Sequence, residues 1–293
     1  MSLQTCSGEK GKMPARNWFH AAGILWPHLV EAAAKRQTPT YSDLSPLINT
    51  NPLSMRFALD PIQRYCIDAN LPPLSSIVIG ALTGIPGPGF IGWPLSDIAN
   101  AHELVFKHDW SSVPNPYEAF GVGDTPESLA RTLMESPESR DEVYAKVKVR
   151  GVAQTVFKKA LMMAYGGKCA MCKLSFQQAL DAAHIVPWSI ATGSQRISPK
   201  NGLLLCSVHH RLFDNGLITI NSDDCVHYAD PDMVDGAYSL SDKYMTANLH
   251  GEPAHLPDAD TLRPCREALE QHYQRHGWED IKVVGSPESH LVS

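Results

Sequence analysis

A two-domain α+β protein is what this sequence predicts, on three observations. At 293 residues with 43% hydrophobic content, the chain suits two buried cores better than one. The first third carries apolar residues at helical spacing, whereas 169–214 is rich in Cys and His and mixes strand-like with helical pieces. Between them runs an acidic stretch punctuated by SSVPNPYE, GVGDTPES and MESPESRDE. The expected division is a first domain over 14–95, an acidic linker over 96–143, and a second domain with a terminal helix over 144–285.

The elements follow in chain order. Phe19, Ala22, Leu25, Leu29 and Ala33 predict a helix over Trp18–Lys35 that Pro27 breaks or bends. Tyr41-Ser-Asp-Leu-Ser opens a second short helix, and Leu53–Asn70 forms a third with Pro61 as a boundary. SSIVIGAL reads as a strand, and TGIPGPGF as a Gly/Pro turn fit for a hairpin tip. Three helices followed by a hairpin resemble a winged helix-turn-helix, a fold that often reads DNA. Arg16, Lys35, Arg36, Arg56 and Arg64 form no recognition stripe. Trp26, Tyr41, Phe57, Phe90 and Trp93 could cage a modified base, although core aromatics are the stronger reading.

Short helices are expected within the linker over Ser96–Lys107 and Pro126–Glu135, then an amphipathic helix over Gln154–Tyr165 with Val156, Ala160, Leu161 and Ala164 on its apolar stripe. The net charge of -6 argues against a general polyanion binder, but the charge is unevenly spread. Asp97–Glu142 holds ten acids and three bases, whereas Lys146–Lys173 holds seven bases and no acid. Lys146, Lys148, Arg150, Lys158 and Lys159, with Arg196, Lys200 and Arg211 further on, form a candidate phosphate-facing surface. Several of these lysines could instead only solvate the amphipathic helix.

Two sets of chemistry-bearing residues interleave in the second domain. Cys169-x-x-Cys172 and Cys206-x-x-His209 supply three thiolates and an imidazole, the donor set of tetrahedral structural zinc. The other reading is a group of buried small apolar cysteines. His184, Asn201 and His210 alternate with these residues and point to a separate site. His184 lies on a short strand ending at Pro187, and His210 shares a helical face with Asp214. ITINSDDCVHYAD suggests a further hairpin, and Asp258–Gly277 a terminal helix packing through Leu262, Leu269 and Tyr273. His227, His250, His255, His272 and His276 read as surface residues.

VRGVAQTVFKKALMMAYGGKCAMC, AAHIVPW, NGLLLC and HHRLFDNGLITI together resemble the HNH endonuclease family of ββα-metal fold, in its restriction-type branch, over residues of about 150–222. The resemblance implies a zinc-stapled DNA endonuclease in which His184 is the general base, Asn201 holds the loop that orients it, and His210 ligates a divalent cation, Mg2+ or else Mn2+ or Ni2+. Many relatives carry an acid or histidine immediately before the base, where this chain has Ala183. Asp214, at a spacing where colicin-type relatives place a metal-ligating histidine, is the slightly favoured replacement ligand, and Asp181 the other.

The partner implied is double-stranded DNA, with the first domain selecting the site, methylated or not. One site per chain would favour a homodimer for double-strand cleavage. Different classes of answer remain open: a catalytically inactive zinc-stabilised module that binds DNA or a partner, or an RNA-directed nuclease. A polar Met1–Lys12, the lack of a transmembrane-length apolar run, and no tidy disulfide spacing among Cys6, Cys66, Cys225 and Cys265 suggest a cytoplasmic protein without membrane partners.

Overall fold

The computed structural model describes residues 16–147 and 150–278, and the chain divides between Thr125 and Pro126 into two compact units. Helix α1 (Trp18–Ala34) opens the first unit. Asn17 caps it by accepting the backbone N–H groups of Phe19 and His20, and Leu25, Trp26 and Leu29 line its buried face. Pro27 lies inside this helix and does not break it. A proline frees the carbonyl four residues back, here Gly23 O, and Asn115 Nδ2 donates to that oxygen at 2.8 Å. A side chain from outside the helix thus replaces the lost backbone donor.

Helix α2 (Tyr41–Leu44) starts with a reciprocal capping box between Thr40 and Asp43. Helix α3 (Met55–Asp68) runs unbroken through Pro61, where a boundary was expected, and packs on α1. SSIVIGAL departs from the strand reading. Leu74–Ile77 is a 3-10 helix, followed by one parallel bridge, Thr40↔Ile79. Pro72 and Pro73 precede it, α1 and α3 pack on it, and no second strand among the described residues offers a ladder, so the expected wing does not form.

The stretch 96–143 divides between the two units. Helix α4 (Ile98–Lys107) buries Ala101 and Val105 against the 3-10 helix, and Trp110, Tyr117 and Phe120 are buried further along. These apolar side chains give an acidic segment its place in the first unit. In the second unit, α5 (Pro126–Glu135) packs Leu129, Ala130 and Leu133 on α7 (Arg150–Ala164), with α6 (Arg140–Lys146) between them in sequence. Each fully buried leucine of that kind contributes about 2 kcal/mol.

Strands β1 (Leu180–His184) and β2 (Gly202–Cys206) pair antiparallel, and α8 (Ser207–Asp214) follows directly. All five residues of β2 are buried, because α7 and α8 both pack on it. Strands β3 (Ile218–Ile220) and β4 (Val226–Tyr228) form the expected hairpin. Helices α9 (Leu240–Met245) and α10 (Arg266–Arg275) complete the unit. His272 is a correction to the surface reading. It is buried, stacks on Phe213 at 3.9 Å between ring centroids, and meets Phe213 O at 3.0 Å. Among the described residues no helix is long and apolar enough to cross a membrane.

Candidate functional site

The register of the β1–β2 pair separates the two predicted sites. Leu180 lies opposite Cys206 at one end, and His184 lies opposite Gly202 at the other. Cys206 joins Cys169, Cys172 and His209 in a cluster whose ligand atoms all lie within 4.8 Å of one another. Cys172 Sγ is 4.0 Å from Cys206 Sγ, and His209 Nδ1 is 3.5 Å from Cys169 Sγ and 3.2 Å from Cys206 Sγ. A tetrahedral zinc centre, with bonds of about 2.3 Å to sulfur and 2.0 Å to nitrogen, spaces its ligands about 3.8 Å (S to S) and about 3.5 Å (S to N) apart. The quartet therefore fits a metal ion of that size.

The surroundings favour the ligating form of His209 and Cys169, whereas hydrogen bonding to the Cys169 and Cys206 sulfurs, with burial, pushes the Cys172 thiol up. His209 Nε2–H donates to Met245 O at 2.9 Å, which turns the Nδ1 lone pair toward the sulfurs. Hydrogen bonds from the Cys172 and Cys206 thiols hold the Cys169 thiol well below its usual range. Cys169, Cys206 and His209 are buried. The Met245 carbonyl, at the end of α9, had no signal in the sequence, since a backbone acceptor leaves no residue-type signature.

At the opposite end of the sheet, His184 Nε2 meets Arg196 O at 2.8 Å. A carbonyl only accepts, so Nε2 carries the proton and Nδ1 the lone pair. Phe157 of α7 stacks on the imidazole, with centroids 4.2 Å apart and planes at 22°, and Trp188 meets it edge-on at 5.9 Å. Asn201, only 2% exposed, ties down the intervening loop. Its Oδ1 accepts Val186 N–H at 2.8 Å, and its Nδ2 donates to Val186 O at 3.1 Å and Gln195 O at 3.2 Å. Asn201 thus grips both the residues after His184 and those before Arg196, whose carbonyl sets the His184 tautomer.

Phe157 and Gly202 were not singled out from the sequence. Phe157 belongs to the same helix-period apolar stripe as Val156 and Leu161, and that pattern cannot distinguish a core ring from one seated on a functional histidine. Gly202 is required by close approach, because a Cβ there would fall 2.4 Å from Phe157 Cζ.

His210 and Asp214 share one face of α8, with Nε2 and Oδ2 3.4 Å apart. Asp181 is engaged differently, since its Oδ1 pairs with Lys158 Nζ at 2.8 Å. Ala183 is fully buried. Among the described residues, the Cys3His quartet is the one group of three or more His, Cys, Asp or Glu side chains gathered tightly enough to hold a metal. His210 with Asp214 is a two-donor pair.

The predicted basic surface is partly spent on internal contacts. Lys158 pairs with Asp181, and Lys159 with Glu127 at 2.5 Å. The Arg196 guanidinium donates to Ala191 O and Tyr144 OH and lies over the Trp188 ring at 5.0 Å. Lys200 and Arg211 are exposed and Lys146 is half-buried. Lys148 and the Arg150 side chain fall outside the described residues.

A strand carrying a histidine, a return strand preceded by a buried asparagine and a following helix with a further histidine make up a ββα unit with a Cys3His cluster at its other end. Residues 169–221 match the HNH endonuclease family. That match covers the cysteine pairs, His184, Asn201 and His210, so this segment is an HNH endonuclease segment. One solved structure, a modification dependent TagI restriction endonuclease, is similar at 17% identity over 41% of this chain, with a TM-score of 0.27. The matched region spans 36% of that protein. No curated protein matches the chain.

Proposed function

We propose that the chain is a metal-dependent DNA endonuclease of restriction type, with His184 as general base. The observation that carries this reading is the Nε2 contact to Arg196 O, which leaves Nδ1 as the basic nitrogen. A neutral imidazole with a fixed tautomer can take the proton from a water as the water oxygen attacks phosphorus and the bond to the leaving oxygen breaks. Phe157 fixes the ring plane, and Asn201 fixes the loop. A bound Mg2+, or Mn2+ or Ni2+ given the imidazole donor, supplies charge neutralisation at the phosphate. His210 and Asp214 would hold that ion, water and phosphate oxygens completing its shell; Asp181 becomes available only if Lys158 releases it.

In this reading the Cys3His quartet binds zinc as a structural staple, and Lys146, Lys148, Arg150, Lys200 and Arg211 face the phosphates, with Lys158 and Lys159 joining if their partners exchange. The first unit selects the site, methylated or not, and two chains acting together cut both strands. One observation favours a second reading, a zinc-stabilised binding module without catalysis: buried Ala183 stands where many relatives supply a ligand.

The test is digestion of plasmids from methylating and non-methylating hosts, and of a matched RNA, with each of the three ions. Wild-type protein should cut DNA, and His184→Ala should cut at least about 100-fold more slowly while binding DNA equally well. Undiminished cutting by His184→Ala removes His184 from the role of base. No DNA cutting with any ion favours the binding module, and faster cutting of RNA favours an RNA-directed enzyme.

A further inference from the structure

The TGIPGPGF segment takes no part in the nuclease site, and in the first unit it closes one side of a cavity of about 230 Å³. Tyr41, Leu53, Arg56, Gln63, Ser75 and Phe90 are among the residues that line it. The wall is built in advance. Gln63, itself buried, donates to Gly89 O at 3.1 Å and Asp60 Oδ1 at 3.2 Å and accepts Ile91 N–H at 3.1 Å. Tyr41 OH accepts Gly87 N–H at 2.7 Å, so the phenol keeps a proton to donate. Both contacts tie the loop to helical elements.

Three properties define the ligand class. The lining is mainly apolar and includes two aromatic rings, Tyr41 and Phe90. Ser75 Oγ is buried without a hydrogen-bond partner among the described residues, and the residue is 4% exposed. Native structures rarely leave a buried hydroxyl unsatisfied, and because Ser75 lines the cavity while its Oγ is covered, a small shift of the wall would bring that hydroxyl to a polar edge of a ligand. Arg56 has no carboxylate partner among the described residues, because Asp60 pairs with Arg64, and its guanidinium lies 4.6 Å over the Phe57 ring. A cavity of about 150 Å³ takes a benzene ring, and pockets for drug-sized ligands begin near about 300 Å³. This cavity therefore suits one substituted heteroaromatic ring system with an anion at its mouth.

We propose that the cavity receives a single nucleobase turned out of DNA, with Ser75 bonding the base edge, Tyr41 and Phe90 covering the ring and Arg56 meeting the adjacent phosphate. This rests on the reading of DNA as substrate and gives that reading its means of selection: the energy to unstack a base is smallest where pairing is already weak, and the base edge is legible once exposed.

The test uses the full chain without added catalytic cation and fluorescence anisotropy on three duplexes that differ at one position: fully paired, a one-nucleotide cytosine bulge, and the same bulge made abasic. A parallel set carries 5-methylcytosine, and free dCMP serves as competitor. The base-bearing bulge should bind at least ten-fold tighter than the other two duplexes. Ser75→Ala should lower that preference three- to ten-fold, the worth of one hydrogen bond, while leaving thermal stability equal or higher because the hydroxyl bonds nothing in the free protein. Phe90→Ala should abolish the preference. Equal binding of base-bearing and abasic bulges overturns the proposal, as does a Ser75→Ala variant with its preference intact. Micromolar competition by dCMP without discrimination among duplexes assigns the cavity to a free nucleotide and overturns it too. Plasmid cutting by the same preparation separates the two claims: cutting without base preference removes only the cavity, and base preference without cutting removes only the nuclease.

Discussion

A Gly202→Ala substitution would place a Cβ 2.4 Å from Phe157 Cζ and 2.7 Å from Leu161 Cδ1. Both side chains are fully buried, so neither can move into solvent. Overpacking of this kind costs about 1–3 kcal/mol. For a unit of this size each kcal/mol lowers Tm by about 2–4 °C, so a fall of roughly 3–10 °C is expected by calorimetry. The chemical effect should be larger, because the ring that must move is the one stacked on His184 at 4.2 Å. A displacement near 1 Å can cost about 100-fold in rate, read by plasmid cleavage. Zinc content should stay at wild type, since Cys206 lies at the far end of the β1–β2 pair. Adding Phe157→Leu removes the clashing ring atoms, so the double variant should recover much of the Tm but not the rate. A Gly202→Ala protein with unchanged Tm and rate, or one that loses zinc in proportion to its activity, would refute this account.

Three further outcomes are expected. Cys172→Ser should lower zinc content, measured by atomic absorption, and unfold the second unit at a lower urea concentration, because a metal held by the quartet would join segments far apart in sequence. Asn201→Ala strands the Val186 N–H and C=O and the Gln195 carbonyl in a buried site, so chemical denaturation should show a loss of about 2–4 kcal/mol, with Asn201→Asp recovering only the bond to Val186 N–H. Burial pushes the His272 imidazole down to about 4 from 6.5. The unfolded chain therefore takes up this proton first as pH falls, and the contribution is complete above about 6.5 and declines toward 4, by about 3 kcal/mol at most. Urea midpoints in excess zinc should fall between pH 7 and 5 in wild type and fall less in His272→Phe. Parallel slopes would exclude His272 as the cause.

The parts legible in the sequence were those fixed by local spacing. The cysteine pairs converge because each pair flanks a turn or a helix start, and the expected helix over Pro126–Glu135 has those same bounds. The short helix opening at Tyr41 and the β3–β4 hairpin were legible for the same reason. What could not be read depends on partners distant in sequence. Pro27 stays in a helix because Asn115 supplies the missing donor, and His272 is buried because Phe213 offers it a ring and a carbonyl. SSIVIGAL has strand composition, yet the helices around it leave it no strand to pair with. Of the two acids weighed as metal ligands, Asp181 is held by Lys158 and Asp214 stands beside His210, a difference that only the approach of α7 to β1 creates.

The Asn115 contact belongs to a group that bears on the order in which the chain can fold as it is made. Besides Gly23 O, the N-terminal half of α1 is held by Asn17 Nδ2 donating to Gly121 O and Asp124 O, and by His20 Nδ1 at Phe120 O. Helix α1 is among the first described segments to leave the ribosome, while these partners emerge about a hundred positions later. Until then the Nδ2 group of its cap residue and the carbonyl freed by Pro27 can be satisfied only by water, and its buried face lacks Tyr117 and Phe120. The first unit therefore closes late in its own synthesis, when Asp124 arrives. An expressed fragment ending near residue 95 would stay open, whereas one ending at Thr125 would give the cooperative unfolding of a complete unit.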